Sequence, residues 1–225
     1  MNNVQGIEKV DQKSSWQPQW MTVSKFVDCT PRNVFHKEME TEKEISVGEQ
    51  AKCQNLHILC RAEFETEADL ENVILKISAD DHYKVSLDGE FLMEGPFPSY
   101  VWKYYYDKIE GLNVAKGKHV LAVHLYYYGT VNRVCNSADF RCALAVELTT
   151  KQGESIPLAF QAQICQAYSG GILGYQTAFL ENFDNRLYPR GWDCISYHAG
   201  ESTGWETMQP AKWADYELYE MPVEQ

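Results

Sequence analysis

Few residues in this chain stand at spacings that do chemistry. Seven cysteines and six histidines raise metal ligation first. A zinc site draws on closely spaced Cys or His pairs, and the sequence has no C-x-x-C. Cys53 and Cys60 are seven apart, as are Cys135 and Cys142, and an odd step puts two side chains on opposite faces of a strand. His119 and His124, five apart, fail in the same way. These residues read as core thiols and surface imidazoles. A nucleophile is the next option, because Gly200 to Gly204 reads G-x-S-x-G around Ser202, with His198 nearby. That motif works only at a strained strand-to-helix turn that exposes the hydroxyl. Here Trp205 and ETMQPA follow, with a proline and no amphipathic helix, so the stretch reads as a loop. Paired carboxylates come last. Asp80 and Asp81 are adjacent in a turn and diverge. Glu181 and Asp184 in AFLENFDNRLYPRGW are the pair that could flank a glycosidic bond, which needs carboxyls about 5 to 9 Å apart. Arg186 stands among them and favours an ion pair instead.

Aromatic residues offer binding rather than bond breaking. Trp102 and Tyr104 to Tyr106 form one run, and Tyr126 to Tyr128 another. Alternation puts Tyr104 with Tyr106 against Tyr105, and Tyr126 with Tyr128 against Tyr127. One set packs inside, and the other is free to form an outer surface where ring faces meet sugar C–H groups and polar tips meet water. A tyrosine-rich core is the plainer reading of the same stripes.

The elements that carry these residues are strands. Leu56, Ile58, Cys60, Ala62 and Phe64 point one way, and His57, Arg61 and Glu63 the other, with Leu59 the exception. Val73, Leu75 and Ile77 repeat the alternation, as do Tyr83, Val85 and Leu87. Asp88-Gly89 predicts a tight hairpin whose two positions take positive φ. Phe91 and Met93 lead away from it, and Gly95-Pro96 ends the pairing because proline cannot donate to a ladder. Residues 120–128 are apolar on both faces, as a central strand is. Phe140 to Leu148 alternates, and Ile156 to Cys165 forms another strand. A short helical turn is expected at IEGLNVAKG, residues 109–117. Many short strands between turn signals predict a β-sandwich with little helix.

The composition agrees. The chain has 225 residues, 44% hydrophobic and 13% aromatic, enough for one sizeable core. A net charge of −12 argues against nucleic acid, whose phosphates need Lys and Arg. The longest apolar run, VLAVHLYYYG, is too short to cross a bilayer, so no membrane contact is expected. An odd cysteine count and the absence of a signal-like start point to a reduced, cytoplasmic setting.

The stretch from Ala79 to Gly129 resembles the N-terminal β-sandwich region of bacterial α-L-rhamnosidases. The resemblance rests on Ala79-Asp80, Tyr83, the Asp88-Gly89 hairpin, Gly95-Pro96, Tyr104 to Asp107, Gly117 to His119 and Tyr127 to Gly129. A second block carries Glu181, Asp184, Arg186, Gly191-Trp192, Trp205 and Ala211, and LCRAEF (59–64) adds a third piece. Asp88 stands where that family usually has Asn, and CISYHAGEST replaces a more acidic loop.

The resemblance implies an all-β jelly-roll sandwich of galactose-binding-like type. It implies an N-terminal arm at 1–20, a sandwich at 21–215 and an exit segment at 216–225 leading toward a catalytic domain. It also implies carbohydrate contact without catalysis. Trp102, Tyr104 and Tyr106 would stack on sugar, with Asp107 and Trp192 beside them. Glu181, Asp184 and Asn185 would take hydroxyls, with Arg186 adjacent. Asp184 and Asn185 are the candidates for calcium. The expected partner is a rhamnose-containing glycan or the catalytic domain of the same polypeptide, with a homodimer as a further option. The alternative is an inter-domain or dimerisation module that binds no sugar.

Overall fold

The structure, a computed structural model, describes residues 13–29, 53–98, 103–129, 141–171, 179–199, 204–212 and 217–221. The chain runs as β1 (Trp20–Thr22), the one-turn helix α1 (Ser24–Val27), β2 (Leu56–Thr66), β3 (Leu70–Ala79) and β4 (His82–Leu87). It continues through β5 (Glu90–Gly95), β6 (Tyr104–Val114), β7 (Gly117–Tyr127), β8 (Leu144–Thr149) and β9 (Ser155–Ile156). Then follow β10 (Ala159–Ile164), β11 (Tyr168–Ser169), β12 (Asn182–Phe183), β13 (Glu206–Thr207), β14 (Gln209–Pro210) and β15 (Leu218–Glu220). One sheet, sheet I, has the order β14-β1-β8-β3-β6-β15, with β9 beside β8. The other, sheet II, has the order β13-β10-β2-β7-β4-β5. A small ribbon pairs β11 with β12.

The two sheets bury a shared core between them, so the architecture is the all-β sandwich expected from the alternation. Ile58, Cys60 and Ala62 of β2 and Leu121, Val123 and Leu125 of β7 meet Val73, Leu75 and Ile77 of β3 there. Leu59 breaks the alternation of β2 for a physical reason. It faces outward, beneath a separate apolar cap formed by Trp192, Cys165, Ala167 and Ala122.

The Asp88-Gly89 turn forms as expected, with φ of 53° and 84°. Asp88 adds more than tolerance of that conformation. Its carboxylate accepts from the Val120 backbone N–H at 2.8 Å and pairs with His119 Nδ1 at 2.6 Å, tying the β4-β5 hairpin to β7. The helical turn expected at 109–117 does not form. That stretch continues β6 and turns directly into β7, because Ile109, Leu112 and Val114 pair with Leu75, Val73 and Leu70. Gly111 at φ 78° takes up the bulge that the register shifts require.

Described residues near both ends, 13–22 and 217–221, lie on sheet I. Trp16, expected within a loose arm, is buried against Tyr106 with ring centroids 4.8 Å apart, and Trp20 meets Tyr104 edge-on at 6.2 Å. Leu218 to Glu220, expected within the exit segment, runs as a parallel strand beside Tyr104 to Tyr106. Lys13 bridges to Tyr219. The outer face of sheet I is therefore sealed by residues from both ends, while the outer face of sheet II carries polar and aromatic side chains.

Candidate functional site

Period-two geometry and register set a grid on the outer face of sheet II. One row across β2, β7 and β4 is His57, Tyr126 and His82. The next row is Leu59, His124, Lys84 and, on β5, Glu94. Tyr168 of β11 lies over this grid, and Glu181, Phe97 and Tyr128 stand at its margin. All of these but the capped Leu59 line an open groove of about 620 Å³, which shares His57, Tyr126, Tyr128, Tyr168 and Glu181 with a smaller recess of about 180 Å³ beside Asn55 and Leu180.

His57 is the centre of the groove floor. Its ring stacks on Tyr168 at 3.8 Å and on Tyr126 at 4.3 Å, with interplanar angles of 11° and 19°. Its Nδ1 lies 2.9 Å from His124 Nε2, so one imidazole donates to the other. Burial pushes the His57 pKa down to about 3, and the neighbouring His124 adds to the effect. Burial, with Lys84 nearby, takes His124 down to about 4. Both rings are therefore neutral at physiological pH, and with one nitrogen of each spent on their mutual hydrogen bond the pair leaves one donor nitrogen and one acceptor nitrogen. Burial, with smaller contributions from Tyr188, Cys165 and Glu181, raises the Tyr168 phenol to about 12, so it keeps its proton. Lys84 and Glu94, 3.8 Å apart, add an exposed charge pair at the groove edge. The result is a half-open trough of aromatic faces with neutral hydrogen-bonding groups on its floor and opposite charges at its rim.

The residues singled out from sequence fall in several places. Tyr104 and Tyr106 are 2% and 3% exposed beneath Trp20 and Trp16, so neither ring presents a face to a ligand. Their stacking role is corrected on that ground: the outer face of β6 is already covered. Tyr104 instead donates to Asp80 at 3.0 Å, and Tyr106 to Glu220 at 2.8 Å. Asp107 lines the groove from beneath, buried, and accepts from Tyr83 Oη at 2.5 Å. Trp192 is 5% exposed and donates to Tyr188 Oη at 2.7 Å, which anchors the apolar cap rather than a ligand.

Glu181 does reach the groove rim. Asp184 does not line it. Its two carboxylate oxygens accept from Arg186 Nε at 2.9 and 3.2 Å and Nη2 at 2.6 Å, and the Arg186 backbone N–H adds a fourth contact. Asp184 and Asn185 therefore do not fit a calcium cradle, because the guanidinium already occupies the carboxylate that would bind the cation. Asn185 is exposed in this turn. Among the described residues no group of three or more His, Cys, Asp or Glu side chains is arranged to hold a metal. Trp102, Ser202 and Cys135 lie outside the described residues. Asp80 and Asp81 diverge as expected: one accepts from Tyr104, the other from the Tyr128 backbone N–H at 2.8 Å.

Sequence reasoning passed over His57, His124 and Tyr168. The outward parity of His57 was legible on β2, and Tyr126 and Tyr128 were separable from Tyr127. The pairing of β2 with β7, which sets His57 beside His124 and Tyr126, has no local signature.

No protein-family model matches the sequence, and no curated protein matches it. Solved structures do. The GH78 family rhamnosidase of Bacillus sp. GL1 superposes with a TM-score of 0.67 at 17% identity, over 92% of this chain and 20% of that one. The α-L-rhamnosidase of Dictyoglumus thermophilum gives 0.58 at 13% identity, over 92% of this chain and 22% of that one. The α-L-rhamnosidase of Aspergillus terreus gives 0.53 at 17%, over 72% and 20%. The fold is that of one region of these enzymes. The chain spans about a fifth of the length of each.

Proposed function

We propose that this chain is a carbohydrate-contacting accessory module of α-L-rhamnosidase type, a sandwich of galactose-binding-like jelly-roll character that does no bond breaking itself. The observation that carries this reading is the groove on sheet II. It combines the Tyr126, Tyr128 and Tyr168 rings with the neutral pair His57 and His124 and with Lys84, Glu94 and Glu181. A sugar presents C–H faces that stack on such rings and hydroxyls that both donate and accept, as neutral imidazoles do. The shared fold supports the same class, since it is one region of enzymes named for rhamnosides. An open groove offers few enclosing contacts, so L-rhamnose should bind in the millimolar range, about −4 kcal/mol. The test is a titration with L-rhamnose followed by backbone NMR, with and without calcium. Shifts at residues 57, 124 and 168 that saturate, and that Tyr168→Ala removes, are the expected result. No response to concentrated sugar in either condition rejects the reading.

A second reading has its own observation. Phe97, Leu180, Phe183 and Leu187 are each about half exposed, from 45% to 56%, and Phe97 and Leu180 line the groove or its recess. Exposed apolar residues grouped at one margin mark contact surfaces. On this reading the groove face docks against another part of a larger enzyme, or a second copy of this chain. Sedimentation that reports concentration-dependent dimers, together with silence toward sugar, would favour it.

A further inference from the structure

A second cavity lies elsewhere on the outer face of sheet II, and the groove argument uses none of its residues. Register builds it. Thr207 of β13, Gln161 of β10 and Arg61 of β2 stand opposite one another in a single row. Glu63 lies two residues along β2, opposite Ala159. Ala159 and Ala199 are small, and with His198 at the wall they leave a space of about 480 Å³.

Arg61 is the unusual member. It is only 2% exposed, although arginine is almost never fully buried without being paired. Its partners are few. Nη1 donates to Glu63 Oε1 at 2.7 Å, Nη2 donates to the Cys194 carbonyl at 3.3 Å, and the guanidinium lies 5.6 Å from the Tyr197 ring centroid. The buried Nε–H has no hydrogen-bond partner. Glu63, its one carboxylate, has a side chain 55% exposed. A buried guanidinium with five donors and so few acceptors is under-satisfied, and such groups in native structures call for an explanation.

We propose that the Arg61–Glu63 cavity is a second binding site, for a neutral polyhydroxylated ligand such as one residue of a glycan. The chemistry selects a neutral polyol over an anion. Arg61 and Glu63 cancel in charge, and a net charge of −12 over the whole chain repels anions. A hydroxyl accepts from a guanidinium and donates to a carboxylate at once, which a ligand carboxylate cannot do. Gln161, Thr207 and His198 then supply further donors and acceptors around the same space. Placement on the same sheet face as the groove would let one extended glycan reach both sites. The proposal stands without the groove reading, because the two sites share no lining residue.

The test is NMR on the full chain with L-rhamnose, D-galactose and myo-inositol, each raised to about 100 mM, a range suited to millimolar binding. Sodium D-glucuronate serves as the anionic arm. Arg61→Ala removes a buried charge and risks unfolding, so Gln161→Ala and Thr207→Ala are the informative variants. Saturable shifts of the Gln161 side-chain amide and the Thr207 N–H with at least one neutral polyol are expected. Gln161→Ala should weaken that response about tenfold, and Tyr168→Ala should leave it intact. The proposal is overturned if no neutral polyol moves these signals, if glucuronate alone moves them, or if Gln161→Ala binds as before. A response at residues 57 and 168 without one at 161 and 207 sinks this site and spares the groove.

Discussion

At the scale of the residue, the most constrained contact under the groove is Tyr83 with Asp107. The phenol is buried and donates to a buried carboxylate at 2.5 Å, while burial and the nearby charge push the Tyr83 pKa up. Gly95 closes over this pair, and a Cβ there would overlap both Asp107 Oδ2 and Tyr83 Oη. Tyr83→Phe takes a donor from a buried carboxylate and should cost about 1–3 kcal/mol in urea unfolding. Gly95→Ala should cost at least as much, because the pair must separate to admit a methyl group. Equal midpoints for wild type and both variants would contradict this account. The histidine pair makes a separate, pH-linked prediction. His57 and His124 have folded-state pKa values of about 3 and about 4, below the ordinary 6.5. Between those values the unfolded chain binds protons that the native state refuses, so stability falls as pH drops from about 6.5 toward 4. Carboxylates contribute to any such slope, so the informative quantity is a difference. His124→Gln should lose less stability than wild type between about pH 7 and pH 4.5. Parallel losses would show that the pair is not held neutral by the fold.

At the scale of the element, the β4-β5 hairpin is the feature most completely written in local sequence. Asp88-Gly89 demanded a tight turn, and the turn is there with both φ values positive. Asp88 also joins the turn to β7 through His119 and Val120. Asp88→Asn keeps the positive φ and one acceptor, whereas Asp88→Ala loses both contacts and strains the turn. Asp88→Ala should therefore destabilise by about 1–2 kcal/mol, with Asp88→Asn costing less, read from urea midpoints and hydrogen exchange across 85–93. The reverse order would mean that the side-chain contacts contribute nothing. The longer strands of sheet II, β2, β4 and β7, were equally legible, because alternation is a local property and their inner residues are apolar. Two things were not. Leu59 broke the pattern because a distant segment around Trp192 caps it, and no window on β2 contains that information. The 109–117 stretch was expected to hold a short helical turn, and it is the pairing with β3 that makes it strand, with a bulge at Gly111. The groove failed to appear for the same reason. His57, His124 and Tyr168 come from three segments: the β2-β7 register sets the histidines together, and a ring stack from the separate β11 ribbon brings in Tyr168.

At the scale of the whole molecule, the two outer faces have opposite fates, and that asymmetry decides where binding is proposed. Sheet I is closed by Trp16, Trp20 and Leu218, which bury Tyr104 and Tyr106. Sheet II keeps the groove and the Arg61 cavity. If the closure is structural, removing it should cost stability and leave sheet II working. Leu218 is 3% exposed, and Leu218→Ala deletes apolar volume from this second cluster, where large-to-small changes cost about 2–5 kcal/mol. Deleting residues 217–225 goes further. It removes the strand beside β6 and uncovers the two tyrosines, so the urea midpoint should fall below that of Leu218→Ala and the chain should begin to self-associate. In a folded Leu218→Ala variant the NMR response of residues 57, 124 and 168 to sugar should match the wild type, because Leu218 does not line the groove, whereas the deletion also takes Met221 from its lining. A truncated chain of unchanged stability would show that the terminal strand merely rests on sheet I. Loss of the sheet II response in a folded Leu218→Ala variant would show that the two faces are coupled through the core, and the separation of structural face from binding face would fail.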